Sequence, residues 1–478
     1  MAEEKKAKIT RRQYLKYGAA AAVVVAAGAA GAAYYLSPPQ PTPGPTSTAT
    51  ATATGVPTVT QPTSGVKLKV QTLTGVNSQM IVDEIKYWNE HYGESTGITL
   101  EPEILSFQGY FDKVTAQMIG GAKEPDLWFV WSYYTGAFAP YAVDLNTYLK
   151  DPKLFSSPDG KPYNRDDLYP NAYDSGDYKG KQVMLPQSMG FITTIYRTDL
   201  IQKPPDTWDE LLEIARKFTK SKNPNSPTTY GLALCGRGPI DTTSWKTWLT
   251  AYWSYGGNYF KKDTFEPDFN NEAGLKASRI WATMAKEELV PPEVTTFAFM
   301  ETMSALQSGQ IAMILDWQTV YNTLVDKEKS PKVFDKVAWT VPPGVKQADG
   351  SIKRHSYMGG NEYLINVNSL HKEEAFKFLA WYLYGEGMEL DVTLKGNTPM
   401  NRRAYEDPQF SNVPVIKRAS EVGIVPIARV EPAYADMPTI QSIGSGALSG
   451  LLAGASPEKT LEIIQNESAK YLKSKGYF

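Results

Sequence analysis

Aromatic and short polar side chains follow two of the predicted strands, at positions where they could bind a small ligand. Thr74 and Asn77 come after the strand predicted for residues 66–70, and Trp131 and Tyr133 stand at the end of the third predicted strand. Ligands of open sheets sit beyond the carboxyl ends of the strands, so we expect these four side chains at a cleft. Aromatic rings pack on the apolar C–H faces of a sugar, and small polar groups bond its hydroxyls. These residue types suit a sugar-binding site.

A second group of candidates lies after residue 230. The helix predicted for residues 245–255 carries Trp245, Trp248 and Tyr252 at helical spacing, a stripe that is typical of a buried core. Trp245 stands at the beginning of this helix, beside the loop that contains Arg237, and is the ring that we expect in the cleft. A guanidinium such as that of Arg237 bonds hydroxyls well once water is excluded.

The composition limits the chemistry available to the chain. Its formal net charge is −2, whereas a nucleic-acid partner usually requires a basic field. A single cysteine, Cys235, allows no intramolecular disulfide and no cysteine zinc cluster, and three histidines leave little for metal binding or histidine-dependent catalysis. We therefore expect no catalytic residue, no metal site, no cofactor and no nucleic-acid partner.

Residues 1–36 have the composition of an export segment. The first 16 residues include six basic ones, and residues 17–36 form a run of twenty uncharged residues, an order that is typical of an export signal. The pair Arg11-Arg12 looks like part of a twin-arginine motif, and a general secretory signal is the alternative. Twenty residues are about enough to cross ~30 Å of hydrocarbon, so residues 17–36 could also stay as an anchor. Cleavage and anchoring both remain open, and we favour the anchor.

Residues 37–64 predict a spacer rather than a folded element. Of these 28 residues, 19 are Pro, Ser or Thr, and such a stretch favours extended conformations and cannot bury a core. The stretch resembles the stalks of archaeal binding proteins, which implies display at the cell surface. We expect the rest of the chain at the outer face of the cytoplasmic membrane, because the basic end should stay in the cytoplasm.

Strands alternate with helices from residue 66 to residue 131. This β-α-β-α-β order predicts an α/β fold, in which a mostly parallel sheet is covered by helices on its faces. No internal repeat is visible in the sequence, which disfavours a purely structural surface protein.

The stretch from Tyr178 to Phe218 combines several signals in one order. A Lys-Gly-Lys turn comes first, and Pro186 predicts the end of one strand because proline cannot donate to a sheet. A β-rich run follows, and Thr207 with Glu210 has the spacing of a capping box at the start of a helix. This order resembles the solute-binding proteins of sugar ABC transporters, of the maltose-binding type. In that family the chain first crosses between two lobes here.

The resemblance implies a two-lobed, type II periplasmic-binding-protein-like fold with the ligand cleft between the lobes. We expect the chain to divide into an export signal or anchor at 1–36, a linker at 37–64, lobe 1 at 65–185 plus 357–400, and lobe 2 at 186–356 plus 401–478. It also implies a monomer that carries a carbohydrate to the permease subunits of an ABC transporter.

The resemblance further assigns site residues. The stretch from Ser304 to Trp317 has the helix, apolar strand and terminal tryptophan of the family, whose tryptophan stacks on sugar. Trp317 takes that role here, and Asp316 stands beside it for the sugar hydroxyls.

The two crossings and a late loop supply the remaining candidates. Gln187 lies in the first crossing. Gly360 and Asn361 lie in a Gly-Gly loop at the second, where glycine allows backbone to approach a ligand closely. Tyr434 stands where relatives present another cleft contact.

Three alternatives remain at this point. The same rings and carboxylates would suit an exported glycoside hydrolase, which needs two carboxyl groups across the scissile bond. The same fold could bind a solute other than a sugar, such as a polyamine, iron or a peptide. A structural surface protein is the third.

Overall fold

The computed structural model describes residues 65–74, 76–106, 109–239, 241–395 and 397–478, without the side chains of residues 76–80, 394 and 395. The predicted export segment and linker, residues 1–64, lie outside this described part. Thirteen strands are described, most of them short; they are β1 (Val66–Leu73), β2 (Ile98–Leu105), β3 (Leu127–Trp131), β4 (Asp177–Tyr178), β5 (Lys181–Gln182), β6 (Leu185–Arg197), β7 (Tyr230–Leu234), β8 (Ile311–Trp317), β9 (Val337–Thr340), β10 (Val345–Lys346), β11 (Ile352–Lys353), β12 (Ser356–Ile365) and β13 (Ala428–Arg429).

Helices surround the strands throughout the described part. They are α1 (Val76–His91), α2 (Gly93–Thr96), α3 (Tyr110–Ile119), α4 (Thr135–Phe138), α5 (Pro170–Gly176), α6 (Trp208–Lys217), α7 (Thr243–Ser254), α8 (Glu272–Lys286), α9 (Phe299–Gln307), α10 (Tyr321–Leu324), α11 (Lys372–Tyr384), α12 (Glu386–Lys395), α13 (Arg403–Glu406), α14 (Pro414–Val422), α15 (Met437–Leu452) and α16 (Pro457–Ser474).

Nine of the described strands form one mixed sheet. Its order is β2-β1-β3-β12-β6-β8-β7, with β13 beside β12 and β9 beside β6. Strand β1 is parallel to β2 and β3, and β7 is parallel to β8. The long strands β12 and β6 are antiparallel to each other. Strand β12 is also antiparallel to β3, and β6 is antiparallel to β8. The sheet therefore has two parallel ends that are joined by two long antiparallel strands.

Strand β6 changes its partners halfway along its length. Residues up to Phe191 pair with β12, residues 192–196 pair with β8, and residues 194–197 also pair with β9. The prediction that Pro186 ends a strand is wrong, because β6 runs continuously through it. Asn361 of β12 pairs with Ser188 and Glu362 with Pro186, so Gln187 is the extra residue of a bulge in β6 and the proline lies next to it, where the ladder is already interrupted.

Helix α6 shows how the local sequence fixes the beginning of an element. The Thr207 hydroxyl accepts a hydrogen bond from the Glu210 N–H (3.2 Å), and the Glu210 carboxylate accepts one from the Asp206 N–H (2.7 Å). Thr207 and Glu210 therefore form the predicted capping box, except that the Glu210 carboxylate bonds the N–H of Asp206 instead of that of Thr207. The buried face of the helix consists of Trp208, Leu211, Leu212 and Ala215.

Candidate functional site

The centre of the sheet brings predicted site residues from three strands together. Trp131, the last residue of β3, pairs with Asn361 of β12, and Asn361 pairs in turn with Ser188 of β6. The Asn361 side-chain amide donates to the Ser188 hydroxyl (3.2 Å). The Gly360 N–H donates to the hydroxyl of Ser132, directly after β3 (3.0 Å). These bonds fix the end of β3 against the two crossing strands.

Trp317 ends β8, and its indole ring lies against glycines of both crossing strands. A β-carbon on Gly190 would lie 2.9 Å from the indole ring, and one on Gly359 would lie 3.1 Å from it. The indole N–H donates to the Thr243 hydroxyl at the start of α7 (3.2 Å), and the ring meets that of Tyr357 edge-on at 5.9 Å. The half-buried Trp317 therefore has a fixed position that requires glycine beneath it.

Lys246 of α7 places its ammonium among three aromatic rings. The nitrogen lies 4.6 Å from the ring centre of Tyr133, 5.6 Å from that of Trp317 and 5.9 Å from that of Tyr357. Tyr133 also stacks on Trp131, at 5.6 Å between ring centres. Trp131 at the end of β3 and Trp317 at the end of β8 are thus connected through Tyr133 and Lys246.

Glu431 supplies a buried carboxyl group beside these rings. Its oxygens accept hydrogen bonds from the Trp245 indole (3.0 Å), the Tyr357 hydroxyl (2.7 Å) and the Gln441 amide. Burial raises the pKa of Glu431, and these donors together with the Lys246 charge oppose that shift.

A narrow pocket opens at this cluster. Its lining comes from the segment after β3, from α5, from β12, from the residues between β13 and α15 and from the first residue of α15. It consists of Ser132, Tyr133, Ser175, Tyr357, Val430, Glu431, Pro432, Ala433 and Met437. Hydroxyls, aromatic faces and one carboxyl group therefore face the same opening.

Several predicted residues lie away from this opening. Trp245 is fully buried, its ring stacked on Trp248, and it reaches the pocket only through its bond to Glu431. Tyr434 is buried among rings such as Tyr259, although the preceding two residues line the pocket. For both residues the core position replaces the expected cleft position.

Gln187 and Asp316 are also buried. The Gln187 amide donates weakly to Asp391 of α12 (3.3 Å) rather than pointing to the rings. Asp316 accepts a bond from the Trp317 N–H (2.7 Å) and lies 3.8 Å from the Cys235 sulfur. Burial raises the pKa of Asp316 well above its usual range. Asp316 thus supports the backbone of Trp317 instead of facing a ligand.

Of the last three candidates, two lie at the surface, and the side chain of the third is not described. Thr74 is exposed, and its N–H donates to the Leu105 carbonyl. Arg237 is exposed, with its N–H bonded to the Phe297 carbonyl. Asn77 lies in α1, where its side chain is outside the described atoms.

Three residues of the site were missed by the sequence reasoning: Lys246, Tyr357 and Glu431. Each is close in sequence to a residue that was selected, at one position after Trp245, three before Gly360 and three before Tyr434. Tyr357 and Glu431 line the pocket and Lys246 lies over the Tyr133 ring, whereas the selected residues beside them do not line the pocket.

The architecture is the two-lobed α/β fold of periplasmic binding proteins. The structure superimposes on maltose-bound MalE3 of T. maritima with a TM-score of 0.69 at 20% identity, covering 85% of this chain and 99% of that one. The parallel ends of the sheet and the helices around them agree with the α/β fold expected from the sequence.

Residues 78–387 match the family described as bacterial extracellular solute-binding protein. The chain belongs to this family, as its resemblance to ABC-transporter binding proteins indicated. It is 24% identical to a probable amino-acid ABC transporter periplasmic-binding protein of Sinorhizobium fredii, over 87% of this chain and 91% of the relative. It is 25% identical to the mannitol-binding protein of Pseudomonas aeruginosa, over 66% of this chain and 75% of the relative. Membership in an extracellular family implies that the protein is exported.

Proposed function

We propose that this protein captures a sugar or polyol outside the cell and delivers it to the permease of an ABC transporter. The observation that carries the proposal is the pair of half-buried rings, Tyr133 and Trp317, which face one ammonium from opposite sides of the crossing strands. Aromatic faces suit the C–H surface of a carbohydrate, and the hydroxyls and carboxyl group around them suit its hydroxyls. The names of the mannitol-binding relative and of the maltose-bound structure support this ligand class.

Closure of two lobes would enclose the ligand. The proposed lobes keep the boundaries expected from the sequence, residues 65–185 plus 357–400 and residues 186–356 plus 401–478. The crossing strands β6 and β12 would act as the hinge, because β12 pairs with β3, β6 pairs with β8, and the two strands pair with each other. A ligand that contacts both lobes favours the closed form by its differential affinity.

The protein would act as a monomer at the outer face of the cytoplasmic membrane. Residues 17–36 would anchor it and residues 37–64 would serve as the stalk. Among the described residues, all of which follow that segment, no helix is long and apolar enough to cross a membrane. Membrane fractionation of the full chain and of a chain that begins at residue 37 tests the anchor.

The protein is proposed to bind its ligand without cleaving it. Glu431 already accepts three hydrogen bonds, and Asp316 is turned toward Cys235, so neither carboxyl group is placed as a free acid or nucleophile in the pocket. Incubation with maltotriose separates the readings, because release of shorter sugars would indicate a glycoside hydrolase.

A thermal-shift panel tests the proposed ligand class. The panel contains maltose, maltotriose, D-mannitol, ribitol and the L-amino acids, since a bound ligand raises the melting temperature by mass action. One sugar or polyol should raise it, and Trp317→Ala should abolish most of the rise. Phe299→Ala is the control, because this exposed ring lies at the start of α9. A rise with an amino acid and none with any sugar or polyol would contradict the proposal.

A further inference from the structure

Lys246 is a largely buried residue whose ammonium has no protein partner among the described residues. The residue is only 7% exposed, and no described residue lies within hydrogen-bond or ion-pair distance of its nitrogen. Burial lowers the pKa of Lys246, because the charged form has lost much of its hydration. Aromatic faces attract a cation but cannot replace the hydrogen bonds that an ammonium makes in water.

The charged groups around Lys246 do not provide the missing acceptor. Glu431 lies near enough to interact with its charge, but its oxygens already serve three other donors. Asp241 also interacts at longer range, and its carboxylate accepts the N–H of Thr243 (2.8 Å) at the start of α7. The third group, Cys235, is a buried thiol whose pKa is raised by burial, so it stays neutral. These two carboxyl groups balance the charge of Lys246 without bonding it.

We propose that Lys246 is a ligand-contacting residue that donates a hydrogen bond to a hydroxyl oxygen of a ligand held between Tyr133 and Trp317, and that it selects neutral ligands over their acids. The assignment rests on the proposed function, because it requires a polyhydroxylated ligand beside these rings. The acceptor is a neutral hydroxyl because a ligand carboxylate would add a third negative group beside Glu431 and Asp241. With a neutral ligand bound, Glu431 and Asp241 would still balance the charge of Lys246.

The test compares Lys246→Met with the full wild-type chain. Methionine keeps an unbranched, apolar side chain as far as the ε position but removes the charge and the donor. The control is Lys217→Met, because the Lys217 ammonium lies 5.3 Å from the Phe218 ring at an exposed position. Melting is measured without ligand, and calorimetric affinity is measured for D-mannitol, ribitol, maltose and maltotriose, then for the aldonic acid of the one that binds best.

The two measurements should move in opposite directions. Without ligand, Lys246→Met should melt at a higher temperature, since a desolvated and unpaired charge is removed. Its affinity for the best neutral ligand should fall by about 10- to 100-fold, the loss expected for a hydrogen bond from a charged donor. Wild type should bind the neutral ligand more tightly than its acid, and Lys217→Met should match wild type throughout.

Three kinds of result would contradict the proposal, and each overturns a different part of it. If wild type binds and Lys246→Met binds equally well, or melts lower without ligand, Lys246 has a structural role and the assignment is wrong. Equal or tighter binding of the acid overturns the selection of neutral ligands. If wild type binds none of the four neutral compounds, the proposed function fails and the assignment fails with it.

Discussion

The indole ring of Trp317 lies directly against the backbone of Gly190. A β-carbon at position 190 would come within 2.9 Å of Cε3 of that ring, closer than real side chains approach one another. Gly190 is in β6 at the point just before this strand exchanges β12 for β8 and β9. The ring that should stack on the ligand is therefore positioned by the strand that should act as the hinge.

Gly190→Ala should move the Trp317 ring and weaken ligand binding. The expected cost in unfolding free energy is about 1–3 kcal/mol, as for other overpacked sites, and affinity should fall by a similar factor to that of Trp317→Ala. Urea denaturation and calorimetric titration measure the two effects. Gly450→Ala is the control, because a β-carbon there meets nothing within 4 Å in α15. Unchanged affinity in Gly190→Ala would show that the position of the ring does not matter.

Glu362 gives the crossing strands a pH dependence. Its side chain is fully buried beside the bulge in β6, and neither of its carboxyl oxygens has a hydrogen-bond partner among the described residues. Burial raises the pKa of Glu362 from 4.5 to about 8. Between these values the folded protein keeps the proton that the unfolded chain has released, so unfolding becomes more favourable as the pH rises.

Glu362→Gln should remove this part of the pH dependence. The unfolding free energy of wild type should fall by a few kcal/mol more than that of the variant between pH 5 and pH 8, since glutamine stays neutral throughout. The difference between the two urea denaturation series isolates Glu362 from other titrating groups such as Glu431. Parallel curves would show that Glu362 is already ionised at pH 5 in the folded protein.

Asp316 should tolerate loss of its ability to ionise. Its pKa is raised well above the usual range by burial, which favours the neutral carboxyl form. Asp316→Asn keeps an oxygen for the Trp317 N–H and should change the unfolding free energy by less than about 1 kcal/mol. Asp316→Ala leaves that N–H unpaired and should cost about 1–3 kcal/mol. Equal costs for the two variants at pH 7 would show that the charge itself is needed.

The sequence was sufficient for much of the secondary structure. Strand alternation predicted the parallel ends of the sheet, and the Thr207 cap marked the start of α6 correctly. Trp131 and Tyr133 are expected at a cleft because a strand end has a known relation to the ligand side of an open sheet, and Trp317 is expected there from the family resemblance. Pro186 misled, because a bulge next to it, where β6 pairs with the distant β12, accommodates it.

The helix face at the pocket could not be predicted. All twelve residues of α7 are buried, so hydrophobic spacing along the helix does not distinguish the side that meets the core from the side that meets the ligand. Trp245 was chosen for its type, whereas Lys246 reaches the rings. Glu431 depends on Trp245, Tyr357 and Gln441, which are distant in sequence, and only the fold shows that these donors meet.

A crystal structure of the protein with the sugar or polyol that raises its melting temperature most tests the central claim directly. The ligand should lie between the rings of Tyr133 and Trp317, with one of its hydroxyl oxygens within hydrogen-bond distance of the Lys246 ammonium. A ligand bound elsewhere, with these two rings in contact only with protein, would contradict the account.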